Sequence, residues 1–314
     1  MRPPLCNVLV TGAAGGMGRA VCELLSRQGY GVWGIDLPER LPEPAPQAGP
    51  DSRPKGAGER PAQVSAARPG AAETALPEPA ETEPALPSGR PWRYLSADVT
   101  DPASLEAARE QIAREAGTLG AIVHMAGIYR LDSLIEMPEA ELHRVFEVNF
   151  FGVCRVNQLF LSLLGPKSRI LITTSELAPL DPLPFTGVYA VSKAALEKYA
   201  FSLRMEVQLL GHSVVVIRPG AVKTGLLAVS TEGLERFCQN TKLYPCNAAR
   251  FRAIVNKVET RSVPPAAVAK KVLSALRARR PRLVYNLNRN PGLRLLHLLP
   301  DRLQTALIGR ILKV

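Results

Sequence analysis

The segment VLVTGAAGGMGRA, residues 8–20, constrains the fold more than any other part of the chain. An apolar run, Leu5–Val10, gives way to Thr11 and a glycine-rich turn, and helical periodicity follows over Arg19–Gln28 until Gly29 stops it. Gly12, Gly16 and Gly18 thus lie between a strand and a helix. Glycines there let the chain turn sharply and let a diphosphate approach the backbone, while the helix N-terminus offers unpaired N–H groups and the positive end of its dipole. A second apolar run, Gly31–Ile35, ends at Asp36, twenty-four residues after Gly12, and completes a dinucleotide-binding unit. A carboxylate at that position accepts hydrogen bonds from both adenosine ribose hydroxyls and repels a 2′-phosphate. No Lys or Arg stands in the glycine loop before Gly18, so NAD(H) is favoured over NADP(H); Arg40 is the nearby basic residue that works against this preference.

Strands and helices keep alternating downstream. Strands are expected at Trp92–Ala97, Ala121–Val123, Ile170–Thr173 and Ser213–Ile217. Helices are expected from the Asp101–Pro102 cap, over Glu139–Leu164, and from Tyr189 to about Leu210. Strands nearly continuous in Val, Ile and Leu imply a parallel sheet covered on both faces, which is a doubly wound α/β Rossmann fold in a single domain. Residues 38–91 interrupt the pattern with 13 of the 28 prolines, no Ile, Phe, Tyr or Trp, and only Val64 and three leucines among the larger aliphatics. Too little apolar surface is available there to offset the entropy of ordering, and a disordered insertion is expected. The catalytic domain is then residues 1–37 and 92–262, with 263–314 as a basic C-terminal extension.

The basicity is local. Residues 250–314 hold 15 Lys and Arg against 2 acids, whereas residues 1–249 hold 24 against 26. Only Phe251 and Tyr285 supply aromatics in the basic segment, which argues against nucleic-acid binding. Five scattered cysteines without metal-ligand spacing suit free thiols in a reducing cytoplasm, and no metal site is expected. The N-terminus reads as a first strand and not as a signal peptide, and no apolar run is long enough to span a membrane. The last fourteen residues have Leu303, Leu307, Ile311 and Val314 on one helical face, with Ile308 and Leu312 beside them and Arg302, Arg310 and Lys313 elsewhere. Such a helix either rests on an anionic membrane surface or packs over the substrate cleft or a second subunit.

In SELAPLDPLPFTGVYAVSK, residues 175–193, Tyr189 and Lys193 stand one helical turn apart and share a face. A cation held near a phenol favours the phenolate, so Tyr189 is a candidate acid/base with a lowered pKa, although the spacing also occurs by chance. Together the glycine loop, Asn149, Ser175, Tyr189 and Lys193 resemble the short-chain dehydrogenase/reductase family over nearly the whole chain outside 38–91. TGxxxGxG is matched from Thr11 through Gly12, Gly16, Met17 and Gly18. The resemblance implies that Tyr189 exchanges a proton with the substrate oxygen while hydride passes to or from the nicotinamide. It further implies that Lys193 stabilises the phenolate and holds the nicotinamide ribose, that Ser175 bonds the substrate oxygen, and that Asn149 supports a water chain through the lysine. By the same likeness Asp98 and Val99 meet the adenine, and Pro219, Gly220 and Thr224 meet the carboxamide.

Where the family has NNAG this chain has His124-Met125-Ala126-Gly127; Ala126 and Gly127 keep the cofactor close, and His124 is expected to bond backbone instead of acting as a base. The segment after Thr224 offers Leu226, Leu227, Phe237, Leu243 and Tyr244 as an apolar cover, so a hydrophobic secondary alcohol or ketone, such as a steroid, retinoid or other lipid-like alcohol, is the expected substrate. The resemblance also implies a homo-oligomer. Two alternatives stay open, a 3-oxoacyl thioester (acyl-carrier-protein) reductase and a catalytically silent dinucleotide sensor.

Overall fold

A computed structural model describes residues 6–41, 92–259 and 261–313. Contacts divide the chain into a body of Met1–Leu41 with Ser88–Val314 and a second unit, Pro42–Pro87. The expected insertion therefore lies, from residue 42 on, outside the described residues, and its first residues, Pro38–Arg40, form a 3₁₀ turn.

Strands β1 (Asn7–Thr11), β2 (Gly31–Asp36), β3 (Arg93–Ser96), β4 (Leu119–His124), β5 (Leu164–Thr173), β6 (Ser213–Pro219) and β7 (Val284–Leu287) form one sheet in the order β3-β2-β1-β4-β5-β6-β7. All pairings are parallel, as the fold class requires. The order reverses between β1 and β4, and in such sheets the ligand crevice opens there, beyond the carboxyl ends of the strands. Alternate side chains enter opposite layers. Val8 and Val10 join Val21, Leu25, Val268 and Val272 from helices α1 (Gly16–Arg27) and α8 (Pro265–Arg277). Leu9 and Ile122 join Leu105, Ile112 and Phe160 on the other face, from α2 (Pro102–Ala116) and α4 (Gly152–Phe160). The Asp101 carboxylate caps α2 by accepting from the N–H groups of Ala103 and Ser104, as the Asp-Pro pair predicts.

Two sequence expectations change. The helix expected over Glu139–Leu164 is α3 (Glu139–Phe146), then a π turn over Glu147–Phe151, then α4. The π turn inserts extra backbone into the helical ladder and carries Asn149. The domain also continues past residue 262, because α8 packs against α1 and β7 pairs with β6 from Val216↔Val284 to Pro219↔Leu287. Arg169, on β5, closes this region by donating to the carbonyls of Ala275, Leu276 and Ala278 at the end of α8. Beyond β6, helices α6 (Gly225–Asn240) and α7 (Pro245–Glu259) cover the carboxyl edge, and α9 (Pro291–Leu296) and α10 (Asp301–Leu312) follow β7. A separate cluster of Leu131, Leu234, Phe237, Phe251 and Leu312 holds α6, α7 and α10 together.

Candidate active site

The glycine loop sits at the carboxyl end of β1, and two of its glycines are required sterically. Gly12 has φ +67° and a Cβ there would lie 2.6 Å from Ala126 N, while a Cβ on Gly18 would lie 2.0 Å from Gly12 O. Thr11 ties the loop to the end of β4, its Oγ1 accepting from the N–H groups of Met125 (3.2 Å) and Ala126 (3.1 Å). Gly15 caps α1 without a side-chain acceptor, and the first turn of α1 holds no acid. These bare amides are what a diphosphate needs, so the loop fits the dinucleotide that the sequence implies. Thr224, at the start of α6, closes over the loop, since a Cβ on Gly16 would meet its side chain at 3.1 Å. Asp36 is buried at the end of β2; its Oδ2 accepts from Ala14 N (2.8 Å) and its Oδ1 from Leu37 N (2.9 Å). Asp98 and Val99 follow β3, one strand outward from Asp36. Asp98 Oδ1 accepts from Thr100 N, and Val99 packs on Gly152.

Ser175, Tyr189 and Lys193 converge beyond the ends of β5 and β6. Tyr189 and Lys193 lie on α5 (Gly187–Val207), and their side chains line one cavity together with Ser175. Lys193 Nζ lies 5.9 Å from the centre of the Tyr189 ring and donates to Thr173 O at 3.2 Å. Asn149 is fully buried; its Oδ1 accepts from Ile128 N (2.9 Å), and its Nδ2 donates to Ile128 O (3.0 Å) and Ser192 Oγ (3.1 Å). Gly127 stands between Asn149 and Lys193, where a Cβ would lie 3.2 Å from Asn149 Oδ1 and 3.5 Å from Lys193 Nζ. Pro219 and Gly220 extend β6 into the same place, with Pro219 O accepting from Glu176 N and Gly220 N donating to Leu287 O.

The electrostatics differ from the sequence expectation. Burial pushes the Tyr189 phenol up to about 12; the Ser175 hydroxyl opposes that rise and the Glu176 carboxylate adds to it. The lowered value expected from Lys193 is not found, because the ammonium sits over the ring and bonds a strand carbonyl. Burial lowers Lys193 itself to about 8, which leaves it a cation at neutral pH. His124 also departs from expectation. Its Nε2 pairs with Asn157 Oδ1 at 2.9 Å, a side chain instead of backbone, and Asn157 Nδ2 donates to Tyr199 OH at 3.1 Å. Burial lowers the imidazole to about 4, so it is neutral, with the proton assigned to Nε2 by its acceptor.

A family model described as short chain dehydrogenase matches residues 59–235, more than half of the chain. The chain belongs to that family. The chain is similar to an L-2,3-butanediol dehydrogenase of Corynebacterium glutamicum, 27% identical over 69% of this chain and 72% of that protein. A 3-ketodihydrosphingosine reductase of Bacteroides thetaiotaomicron is 24% identical over 84% of this chain and 87% of its own length. Two crystal structures share the fold at 18% identity. A short chain dehydrogenase of Burkholderia cenocepacia, in complex with NADP, has a TM-score of 0.62 with 100% of each chain covered. One from Burkholderia phymatum, in complex with NAD, has a TM-score of 0.64 with 93% of each covered. As a short chain dehydrogenase, the protein is an oxidoreductase acting on CH–OH or carbonyl groups with a nicotinamide dinucleotide.

A cavity of about 210 Å³ joins the two halves of this site. Gly127, Ser175, Tyr189, Lys193 and Gly220 line its polar side, and Met17, Tyr129, Leu183, Phe251, Ile254 and Leu293 its apolar side. The apolar wall is not the one expected. Phe237 is buried in the α6–α7 cluster against Phe185, Tyr244 packs on Phe185, and Leu243 is exposed, while the side chains of Leu226 and Leu227 lie outside the described residues. Tyr129 meets Tyr189 edge-on at 4.4 Å between ring centres. Glu176 is the polar residue that sequence reasoning missed. Buried beside Ser175, its carboxyl pushed up by desolvation, it accepts from Asn290 N at 2.6 Å.

Proposed function

We propose that this enzyme interconverts a hydrophobic secondary alcohol and its ketone, with NAD(H) preferred over NADP(H). The observation that carries the reading is that Ser175, Tyr189 and Lys193 line an apolar-walled cavity that also meets the glycine loop through Met17. The bound nicotinamide supplies or accepts the hydride. Ser175 holds the substrate oxygen, and Tyr189 passes a proton to it or takes one from it. At neutral pH Tyr189 rests as a phenol, the form that donates its proton to the carbonyl oxygen as hydride reaches the carbonyl carbon. Lys193, a cation at neutral pH, holds the nicotinamide ribose. Asn149 holds Ile128 and Ser192, and so positions the loop after β4 and the first turns of α5. The buried Asp36 carboxylate supports the NAD(H) preference through its repulsion of a 2′-phosphate.

Self-association is part of the reading. Val191, Phe201 and Met205 on α5 and the neighbouring Phe151 are large apolar side chains left exposed, a surface suited to a second copy of this chain. The experiment for the activity is a spectrophotometric screen of NAD-linked oxidation across steroid, retinoid and simple secondary alcohols, with reduction of a 3-oxoacyl thioester as the contrasting arm. Turnover of the alcohols is expected. Turnover of the thioester alone, with NADPH, overturns the substrate reading, and tight NADH binding without any turnover overturns the catalytic one.

A further inference from the structure

The row of α10 that contacts the body is not the row of large apolar residues that the helix presents most plainly. Gln304 and Leu312 are buried and Ile308 packs with Leu312 in the α6–α7 cluster, while Asn247 Nδ2 donates to Leu312 O at 2.6 Å. The adjacent row, Leu303, Leu307 and Ile311, faces outward. Just before it, α9 and the turn after it expose Leu295 and Leu298, so five large aliphatic side chains in this short segment are between 41% and 80% exposed. Arg294, Arg302, Arg310 and Lys313 are exposed among them, against the single acid Asp301. None of these four cations has an ion-pair partner among the described residues.

We infer that the exposed face of α9 and α10 docks on an anionic lipid bilayer. Leucines flanked by unpaired arginine and lysine match a membrane interface, where apolar groups enter the acyl boundary and cations meet the headgroups. A second copy of this chain is the poorer occupant. A symmetric contact would press Arg302, Arg310 and Lys313 against the same cations of the other subunit, with one aspartate to offset them. Position supports the lipid as well. Leu293 of α9 lines the substrate cavity, and His297 Nε2 is bonded to Asp181 O, which holds this helix at the cavity's rim. A bilayer docked there places lipid-dissolved molecules next to the cavity.

The test needs no turnover and so stands or falls apart from the substrate reading. The full-length protein is sedimented with vesicles of phosphatidylserine and phosphatidylcholine, and with vesicles of phosphatidylcholine alone. The expected result is co-sedimentation with the anionic vesicles at low salt, at least tenfold weaker without phosphatidylserine, and release as salt is raised. A Leu303→Glu/Leu307→Glu variant should bind the anionic vesicles at least tenfold more weakly. Both substitutions fall on exposed positions, so the variant should keep the wild-type melting temperature. An Arg302→Gln/Arg310→Gln variant should lose most of the dependence on phosphatidylserine. Full-length protein that stays in the supernatant at low salt overturns the inference, as does undiminished binding by the Glu variant. A dimer in sedimentation-velocity runs that the Glu variant dissolves would give the face to a second copy and overturns it equally.

Discussion

Keeping Lys193 charged inside the protein has a cost that can be measured. Its side chain is 5% exposed, and burial lowers its pKa from the ordinary 10.5 to about 8. Below pH 8 the folded and unfolded chains both carry the charge, and the folded one holds it in a poorly solvating place. Between about pH 8 and 10.5 the unfolded lysine still binds its proton while the folded one has released it, so stability rises with pH over that window. A difference of about 2.5 pH units at about 1.36 kcal/mol each makes the rise about 3 kcal/mol. Lys193→Met removes the titration and keeps most of the volume. It also removes the bond to Thr173 O, which offsets the variant by a roughly constant amount and leaves the slope alone. Urea unfolding of wild type and variant at intervals from pH 7 to 10.5 isolates the term, because Tyr189 and the buried cysteines titrate in both proteins. Wild-type stability minus variant stability should climb by about 3 kcal/mol across the window. A flat difference would mean that the ammonium is well solvated in the folded state, and the electrostatic account of the site would fail.

The remaining expectations concern chemistry and architecture. Tyr189→Phe should lower kcat by about 10²–10⁴-fold and leave NADH affinity within about twofold, as read by fluorescence titration; substantial turnover would assign the proton to another group. Asp36→Asn should narrow the preference for NADH over NADPH by on the order of tenfold. Wild-type protein that binds NADPH more tightly would contradict the role given to Asp36. Replacing residues 42–88 with a short Gly/Ser linker brings the connection between Asp36 and Arg93 to about a dozen residues, the usual length of a parallel crossover. That variant should keep its melting temperature and turnover, and an unfolded or inactive product would show that the segment is needed.

The parts of the site legible in the sequence are those whose geometry is set by neighbours a few residues away. The spacing of Gly12, Gly16 and Gly18 between a strand and a helix is one, and the helical turn from Tyr189 to Lys193 is another. The π turn around Asn149 was hidden because extra backbone in a helix leaves hydrophobic periodicity nearly continuous from Glu139 onward. Strand β7 was hidden for a different reason. Four residues, VYNL, pair on one side only, between Arg282 and Arg289, and nothing local distinguishes them from loop. The raised pKa of Tyr189 is not legible in the sequence, because the spacing of Lys193 does not say where its ammonium points.

The apolar wall of the cavity depends on contacts that no local pattern encodes, and Glu176 organises part of it. Its backbone N–H bonds Pro219 O, next to Gly220, where a Cβ would lie 2.8 Å from Glu176 Oε1. Its carboxylate accepts from Asn290 N, and the Asn290 side chain in turn caps α9 by accepting from Gly292 N (2.9 Å) and Leu293 N (3.4 Å). Asn288, held at φ 51°, adds a second tie by donating to the carbonyls of Ala221 and Arg261. The residue beside Ser175 is thus two hydrogen bonds from Leu293, which lines the cavity. A carboxylate buried next to Ser175 raises the pKa of Tyr189 and is itself poorly solvated, so packing alone would not favour it there. Its bond to Asn290 is the compensating gain, because it ties the C-terminal segment to the candidate site and helps hold Leu293 in the cavity wall.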